Sequence, residues 1–199
     1  MNEQPTSANS ASPTAPALSR RHFLRHSGTL ALGAGVVAGL PVPGVFAADD
    51  DTIRLALIGC GGRGSGAVGD ALSVPGGGPI KLHAMADLSE TRLLAAHESL
   101  RSKFPDQVEV ARDRRFIGFT SHEAAIESLR PGDIALCTTR SYIRPVHVEH
   151  AIRKGIHVFM EKPFASDPGG LHRLLAAGKE ADRKGVKIAA GLQCRHSPA

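Results

Sequence analysis

Short runs of apolar residues recur along the chain from position 53 onward, separated by segments in which apolar and polar residues alternate at helical spacing. Ile53 to Ile58, Ile80 to Ala86, Phe116 to Phe119, Ile134 to Cys137, His157 to Met160 and Val186 to Ala190 read as six strands. Between them the pattern predicts helices over 63–72, from Ser89 to about Lys103, from Thr120 to Leu129, from Arg144 to Lys154 and from Asp167 to Lys184. Ser89 and Asp167 are suitable N-caps, and Thr120 with Glu123 has the spacing of a capping box. Pro168 suits a first helical position, and Gly155 and Gly185 are placed to end helices. Short buried strands alternating with helices imply an α/β fold, a doubly wound six-stranded and mostly parallel sheet. Ligands of such sheets lie beyond the carboxyl ends of the strands.

The first strand runs into Gly59-Cys60-Gly61-Gly62-Arg63-Gly64, which fits G-x-G-x-x-G. Gly59 turns the chain off the strand, Gly61 lets backbone approach a pyrophosphate, and Gly64 lets the helix pack closely. The helix that follows points free N–H groups and the positive end of its dipole at the phosphates. The second strand ends at Asp87, 23 residues beyond Gly64, close to the roughly 20 expected of an acid that bonds a ribose 2′-hydroxyl. Strand, glycine turn, helix, strand and acid occur in the order of a dinucleotide-binding Rossmann unit. Asp87 favours NAD because its charge repels a 2′-phosphate, while Arg63 or Arg92 leaves NADP possible.

The residues before this unit have a different character. Positions 1–18 are rich in Ser, Thr, Ala, Asn and Pro and lack the apolar content of a core. Ser19-Arg20-Arg21-His22-Phe23-Leu24-Arg25 leads into an uncharged stretch from Gly28 to Leu40, then Pro41, Pro43 and the small-residue site near Ala47. A basic region, a short apolar region and a small-residue site make a signal peptide. The paired arginines before Phe-Leu resemble a twin-arginine (Tat) signal. Its 13 uncharged residues are short of the roughly 20 that span a bilayer. The expected organisation is therefore a signal over 1–47, with a disordered start, and a nucleotide-binding domain over 48–199. The Tat route carries folded proteins, so the implied partner is the Tat machinery and the expected location is periplasmic or secreted. A cofactor acquired in the cytoplasm would travel inside the folded protein and would have to be held tightly.

Composition removes several function classes. The chain of 199 residues has a formal charge of +5, but its charged segments interleave signs and it contains a single Tyr and no Trp. No basic run alternates with aromatics, so nucleic acid is not an expected partner. Cys60, Cys137 and Cys194 are too few and too scattered for a disulfide framework. Cys137 reads as core or site lining. His147 and His150 stand three apart without a nearby third ligand, reading as helix-surface histidines, and no metal site is expected.

Two further motifs stand at predicted strand ends. Gly155-Ile156-His157-Val158-Phe159-Met160-Glu161-Lys162-Pro163 resembles the G-K-H-V-x-x-E-K-P pattern of the glucose–fructose oxidoreductase / inositol dehydrogenase / MocA (Gfo/Idh/MocA) family, and Gly191-Leu192-Gln193-Cys194-Arg195-His196 resembles its G-x-x-x-R-[FH] strand end. With the glycine turn upstream, the resemblance spans residues 53–196. It implies a nicotinamide-dependent oxidoreductase acting on a sugar or polyol. Gly59, Gly61, Gly62, Arg63, Gly64, Asp87, Thr138 and Thr139 would contact the cofactor, with Glu161 near the nicotinamide ribose. Lys162 would be the catalytic residue as well as a cofactor contact, donating to a hydroxyl or stabilising an alkoxide. Pro163 would set the turn, with a cis peptide as one option. Some family members are instead NAD-dependent glycosidases without net redox change. The sequence departs from the pattern after the fourth strand, where a charged Thr138-Thr139-Arg140-Ser141-Tyr142 replaces the usual Thr-Pro or Asn-Pro turn. The family's second α/β domain, which supplies most of the substrate pocket and the usual oligomer contacts, would begin where this sequence ends at Ala199. On that reading the chain is a nucleotide-binding portion, inactive alone, and a non-catalytic binding module is a further alternative.

Overall fold

The structure, a computed structural model, describes residues 51–76 and 78–192. The signal segment, together with Gln193, Cys194, Arg195 and His196, lies outside the described residues. Among the described residues six strands and five helices alternate. They are β1 (Ile53–Ile58), α1 (Gly62–Leu72), β2 (Ile80–Asp87), α2 (Glu90–Lys103), β3 (Arg115–Ile117), α3 (Ser121–Glu127), β4 (Ile134–Cys137), α4 (Arg144–Arg153), β5 (His157–Glu161), α5 (Pro168–Lys184) and β6 (Ile188–Gly191), with a 3-10 turn at Arg112–Arg114 before β3.

The strands form one sheet in the order β3-β2-β1-β4-β5-β6. Every pairing is parallel, so the sheet is wholly rather than mostly parallel. Parallel strands need crossovers, and the crossover helices bury both faces. Leu55, Leu57, Leu82, Met85 and Leu136 face the side packed with Val68, Leu72, Leu93 and Leu100 of α1 and α2. Ala56, Ile58, Ala84, Ala86, Ala135, Cys137 and Val158 face the side packed with Ile126, Val148, Ile152, Leu174 and Ala181 of α3, α4 and α5. Burial on both faces is why the strands read as continuous apolar runs rather than alternating ones. The chain winds from β1 outward to β3 and returns to β4 beside β1, so the two halves separate at the β1–β4 boundary.

The helix ends follow from local sequence. Asp167 accepts from Gly170 N at 2.8 Å, with Pro168 in the first turn. Ser89 accepts from Arg92 N at 3.4 Å. Helices α4 and α5 stop in the same way: Ile156 N donates to Ala151 O and Gly155 N to Ile152 O, while Val186 N donates to Ala181 O and Gly185 N to Asp182 O. These are paired Schellman bonds, and Ile156 and Val186 are buried against the helices they leave.

Four local expectations are corrected. β3 is shorter and earlier than Phe116 to Phe119, because only Arg115–Ile117 finds partners, along Met85–Asp87, and Phe119 is 85% exposed. β6 starts at Ile188 because Val186 is committed to the end of α5. The Thr120 side chain makes no capping bond; Glu123 N donates instead to the Thr120 carbonyl at 2.9 Å. His147 is buried rather than on the helix surface. Its ring stacks on His122 of α3 with centroids 4.1 Å apart. Among the described residues no helix is long and apolar enough to cross a membrane.

Candidate nucleotide site

All six strands end on one edge of the sheet, and there they border a cleft of about 980 Å³. Of the residues singled out from sequence, Gly59, Gly61, Arg63, Asp87, Thr138, Thr139, Glu161 and Lys162 line it. Gly64 is buried beneath the turn, and Gly62 is the exposed first residue of α1.

The glycine turn hangs between its two neighbouring strands. Gly59 N donates to Ala86 O of β2 at 2.8 Å, and Cys60 N donates to Asp87 Oδ2 at 2.7 Å. On the other side Thr138 Oγ1 donates to Gly59 O at 2.7 Å. Gly59 has φ +98°, and a Cβ there would lie 2.9 Å from Thr139 N. Gly61 caps α1 with no side-chain bond, so the N–H groups of the first turn of this helix remain available to an anion. A Cβ at Gly61 or Gly62 would meet nothing within 4 Å. The turn therefore presents open backbone toward the cleft while Gly64 seats it from below.

Asp87 is buried at the floor of the cleft. Besides Cys60 N, it accepts from Ser89 N through Oδ1 at 2.8 Å, and Arg92 Nη1 stands 3.8 Å from Oδ1. A carboxylate has about four acceptor positions, so two backbone bonds leave it able to accept from a diol. Burial and two fixed donors hold its orientation. The Cys60 thiol beside it is pushed well above its ordinary range by burial and by the Asp87 charge.

The opposite wall comes from β5. The Glu161 side chain is 4% exposed, and its Oε1 accepts from Arg63 Nε at 2.7 Å. Its Oε2 accepts from Lys162 N at 3.1 Å. The Arg63–Glu161 ion pair thus joins the glycine turn to the end of β5. Lys162 is exposed at the rim, and its ammonium makes no ion pair among the described residues. The Lys162–Pro163 peptide is cis.

Three further residues that line the cleft carry no site role in the sequence reading. Arg144, the first residue of α4, is 3% exposed. Its guanidinium donates to the carbonyls of Thr139, Glu161 and Pro163, and Nε has no partner among the described residues. Burial pulls this group below the usual arginine range, offset in part by Cys137 and Glu161. A cation in the first turn of a helix opposes the helix dipole, and that anomaly was the legible signal. His147 shares a hydrogen bond with Thr139 Oγ1 at 3.0 Å. Its imidazole is held down to about 3 by burial first, then by His122, Arg144 and His150, so it is neutral. His122, stacked on it, also lines the cleft, and its buried Nδ1 has no partner among the described residues. Nothing in the spacing of His122 and His147 announces this pair, because α3 and α4 are brought together only by packing on the sheet. The described residues contain no group of three or more His, Cys, Asp or Glu placed to hold a metal ion.

The site's chemistry suits a dinucleotide: uncapped helix N–H groups for phosphates, an oriented buried carboxylate for a ribose, and polar groups on the far wall. The comparisons agree. No curated protein matches the chain. Among solved structures, myo-inositol 2-dehydrogenase from Lactobacillus plantarum is 20% identical, with TM-score 0.56, over 73% of this chain and 38% of its own. Scyllo-inositol dehydrogenase from Lactobacillus casei, solved with NAD(H) and scyllo-inositol, is 19% identical, with TM-score 0.54, over 73% and 38%. The WlbA dehydrogenase from Chromobacterium violaceum, solved with NADH and UDP-GlcNAcA, is 26% identical, with TM-score 0.55, over 74% and 37%. The chain thus spans a little over a third of the length of these structures. Residues 53–190 match the oxidoreductase family with an NAD-binding Rossmann fold, and this chain belongs to that family, Gfo/Idh/MocA.

Proposed function

We propose that this chain is the NAD-holding portion of an oxidoreductase that acts on a sugar or polyol-like substrate. The observation that carries the reading is the convergence of the open glycine turn, buried Asp87 and the Arg63-bound Glu161 on one cleft. The glycine turn and the first turn of α1 take the pyrophosphate, and Asp87 takes the adenosine ribose hydroxyls. Asp87 selects NAD over NADP because its buried negative charge faces the position of a 2′-phosphate. Thr138, Thr139 and Glu161 face the nicotinamide half.

Bound NAD supplies the hydride acceptor. Lys162, at the rim beside Glu161, donates to the substrate hydroxyl and stabilises negative charge on that oxygen as the carbon-bound hydrogen leaves. The hydroxyl proton passes to water. Substrate class and activity are supported by the dehydrogenases solved with scyllo-inositol or UDP-GlcNAcA.

Calorimetry of the purified protein with NAD and NADP tests the binding claim. Saturable NAD binding, tighter than NADP, is expected; a folded protein that takes neither ends the proposal. Inositols and sugars offered with NAD then test for net reduction at the nicotinamide. Release of a nitrophenol from a nitrophenyl sugar without net reduction would replace the dehydrogenase with an NAD-dependent glycosidase.

We further propose export by the twin-arginine route, on the strength of Arg20-Arg21 ahead of the uncharged stretch from Gly28 to Leu40. Fusing residues 1–47 to a reporter should send it out of the cytoplasm, and Arg20→Lys with Arg21→Lys should stop that. Export unaffected by the double change removes the assignment.

A further inference from the structure

We propose that Arg144 is a positioning residue that sets the nicotinamide half of the cleft by tying together the loops that follow β4 and β5. The inference rests on the reading of the cleft as an NAD site. Its basis is the set of partners. Nη2 donates to the carbonyl of Thr139, in the loop after β4, and Nη1 donates to the carbonyls of Glu161 and Pro163, at the end of β5 and just beyond. These two segments carry Thr139, Glu161 and Lys162, which are the proposed contacts on that wall.

A guanidinium suits this task because its donors lie in one plane at fixed angles, so one group can fix the separation of two loops. An ammonium is a single point and cannot span them in the same way. The environment argues against a general stabilising role. Arg144 is buried and bonds only to carbonyl dipoles, its Nε is unpartnered among the described residues, and it sits where the α4 dipole disfavours a cation. A buried cation so placed is a poor source of stability, and an apolar side chain would ordinarily serve a core position better. What the cation achieves is the position of three carbonyls, and with them the peptide planes from which Thr139, Glu161 and Lys162 project.

The other half of the cleft is held by different bonds. Gly59 N to Ala86 O and Cys60 N to Asp87 Oδ2 fix the glycine turn and the acid, and Arg144 makes no hydrogen bond to either. The two halves are therefore separable by ligand. NAD engages both, whereas ADP engages the glycine turn and Asp87 only.

The test is calorimetry of the parent protein, Arg144→Met and Arg144→Lys with NAD and with ADP, each variant checked for fold by circular dichroism. Met keeps the unbranched stem and removes every donor. For Arg144→Met, NAD affinity should fall by about tenfold or more while ADP affinity stays within about twofold. Arg144→Lys should lie between the parent and Met. Two outcomes overturn the proposal: NAD affinity unchanged in folded Arg144→Met, or NAD and ADP weakened equally, which marks general structural damage. If Arg144→Met does not fold, Arg144→Lys is read by the same comparison, and parental NAD affinity in that variant overturns the proposal. A parent protein that binds neither ligand instead ends the NAD reading on which the inference rests.

Discussion

A Cβ added to Gly191 would stand 2.2 Å from Glu161 Oε1 and 2.7 Å from its carboxyl carbon. The end of β6 therefore leaves the space in which the Glu161 carboxylate turns toward Arg63. Glu161 pairs with Gly191 in the sheet register, so the two approach through adjacent strands and neither backbone can withdraw without breaking the ladder.

Gly191→Ala should then displace the Glu161 side chain and break its bond to Arg63. Overpacking of this kind costs about 1–3 kcal/mol, read as a lower midpoint in urea unfolding. NAD affinity should drop in the same variant. Unchanged stability and unchanged affinity would show that the carboxylate has another place to go.

Gly64→Ala meets a harder obstacle. Its Cβ would lie 2.2 Å from Gly59 O and 2.6 Å from Thr138 Oγ1. The first of these is backbone, held by Thr138, and cannot rotate aside. The expected loss is about 3 kcal/mol or more, with loss of nucleotide binding as the turn lifts. Gly62→Ala serves as the contrast, since a Cβ there meets nothing within 4 Å; it should leave the unfolding midpoint nearly unmoved. Equal midpoints for the two variants would refute the close-packing argument.

Arg63 and Glu161 should be energetically coupled. Arg63→Ala leaves a buried carboxylate with only the Lys162 N–H, which costs about 1–3 kcal/mol. Glu161→Gln leaves Arg63, whose side chain is 36% exposed, free to turn to water. A double-mutant cycle on unfolding should return a coupling of about 1–2 kcal/mol. Strict additivity would mean the 2.7 Å contact adds nothing to the fold.

Acid should weaken the fold through His147. Its native pKa lies at about 3 against an ordinary 6.5, so the unfolded chain binds the proton first. Stability is full above about pH 6.5 and is lost as the pH falls toward about 3. One such group removes about 1–2 kcal/mol by pH 5. His83, His97 and His150 are shifted in the same direction. Urea midpoints taken from pH 7 to pH 5 should therefore decline, and His147→Gln should flatten the slope. A slope identical to the parent would assign the acid sensitivity elsewhere.

How far the sequence carries can be read from particular residues. Leu55 to Ile58 and Ala135 to Cys137 are buried on both faces, so short hydrophobic runs located those strands. Gly155, Gly185, Ser89 and Asp167 marked helix ends because capping is settled by residues a few positions apart. The glycine turn, Asp87 and the Glu161-Lys162-Pro163 run were legible because backbone turns and strand ends carry their own residue preferences. Phe116 to Phe119 misled, because apolar character says nothing about which residues find a strand partner, and only Arg115–Ile117 does.

What tertiary structure alone decided is the set of partners. Arg63 and Glu161 lie 98 positions apart, and nothing local directs one to the other rather than to Lys162. Arg144 acquires its partners only when the sheet brings the carbonyls of Thr139, Glu161 and Pro163 around it. His122 and His147 became a buried stacked pair because α3 and α4 share one face of the sheet. Local preferences act over a few residues, and the sequence by itself determined the elements and the glycine turn. The wiring of the far wall depends on the order β3-β2-β1-β4-β5-β6, which sets which strand ends meet at one cleft.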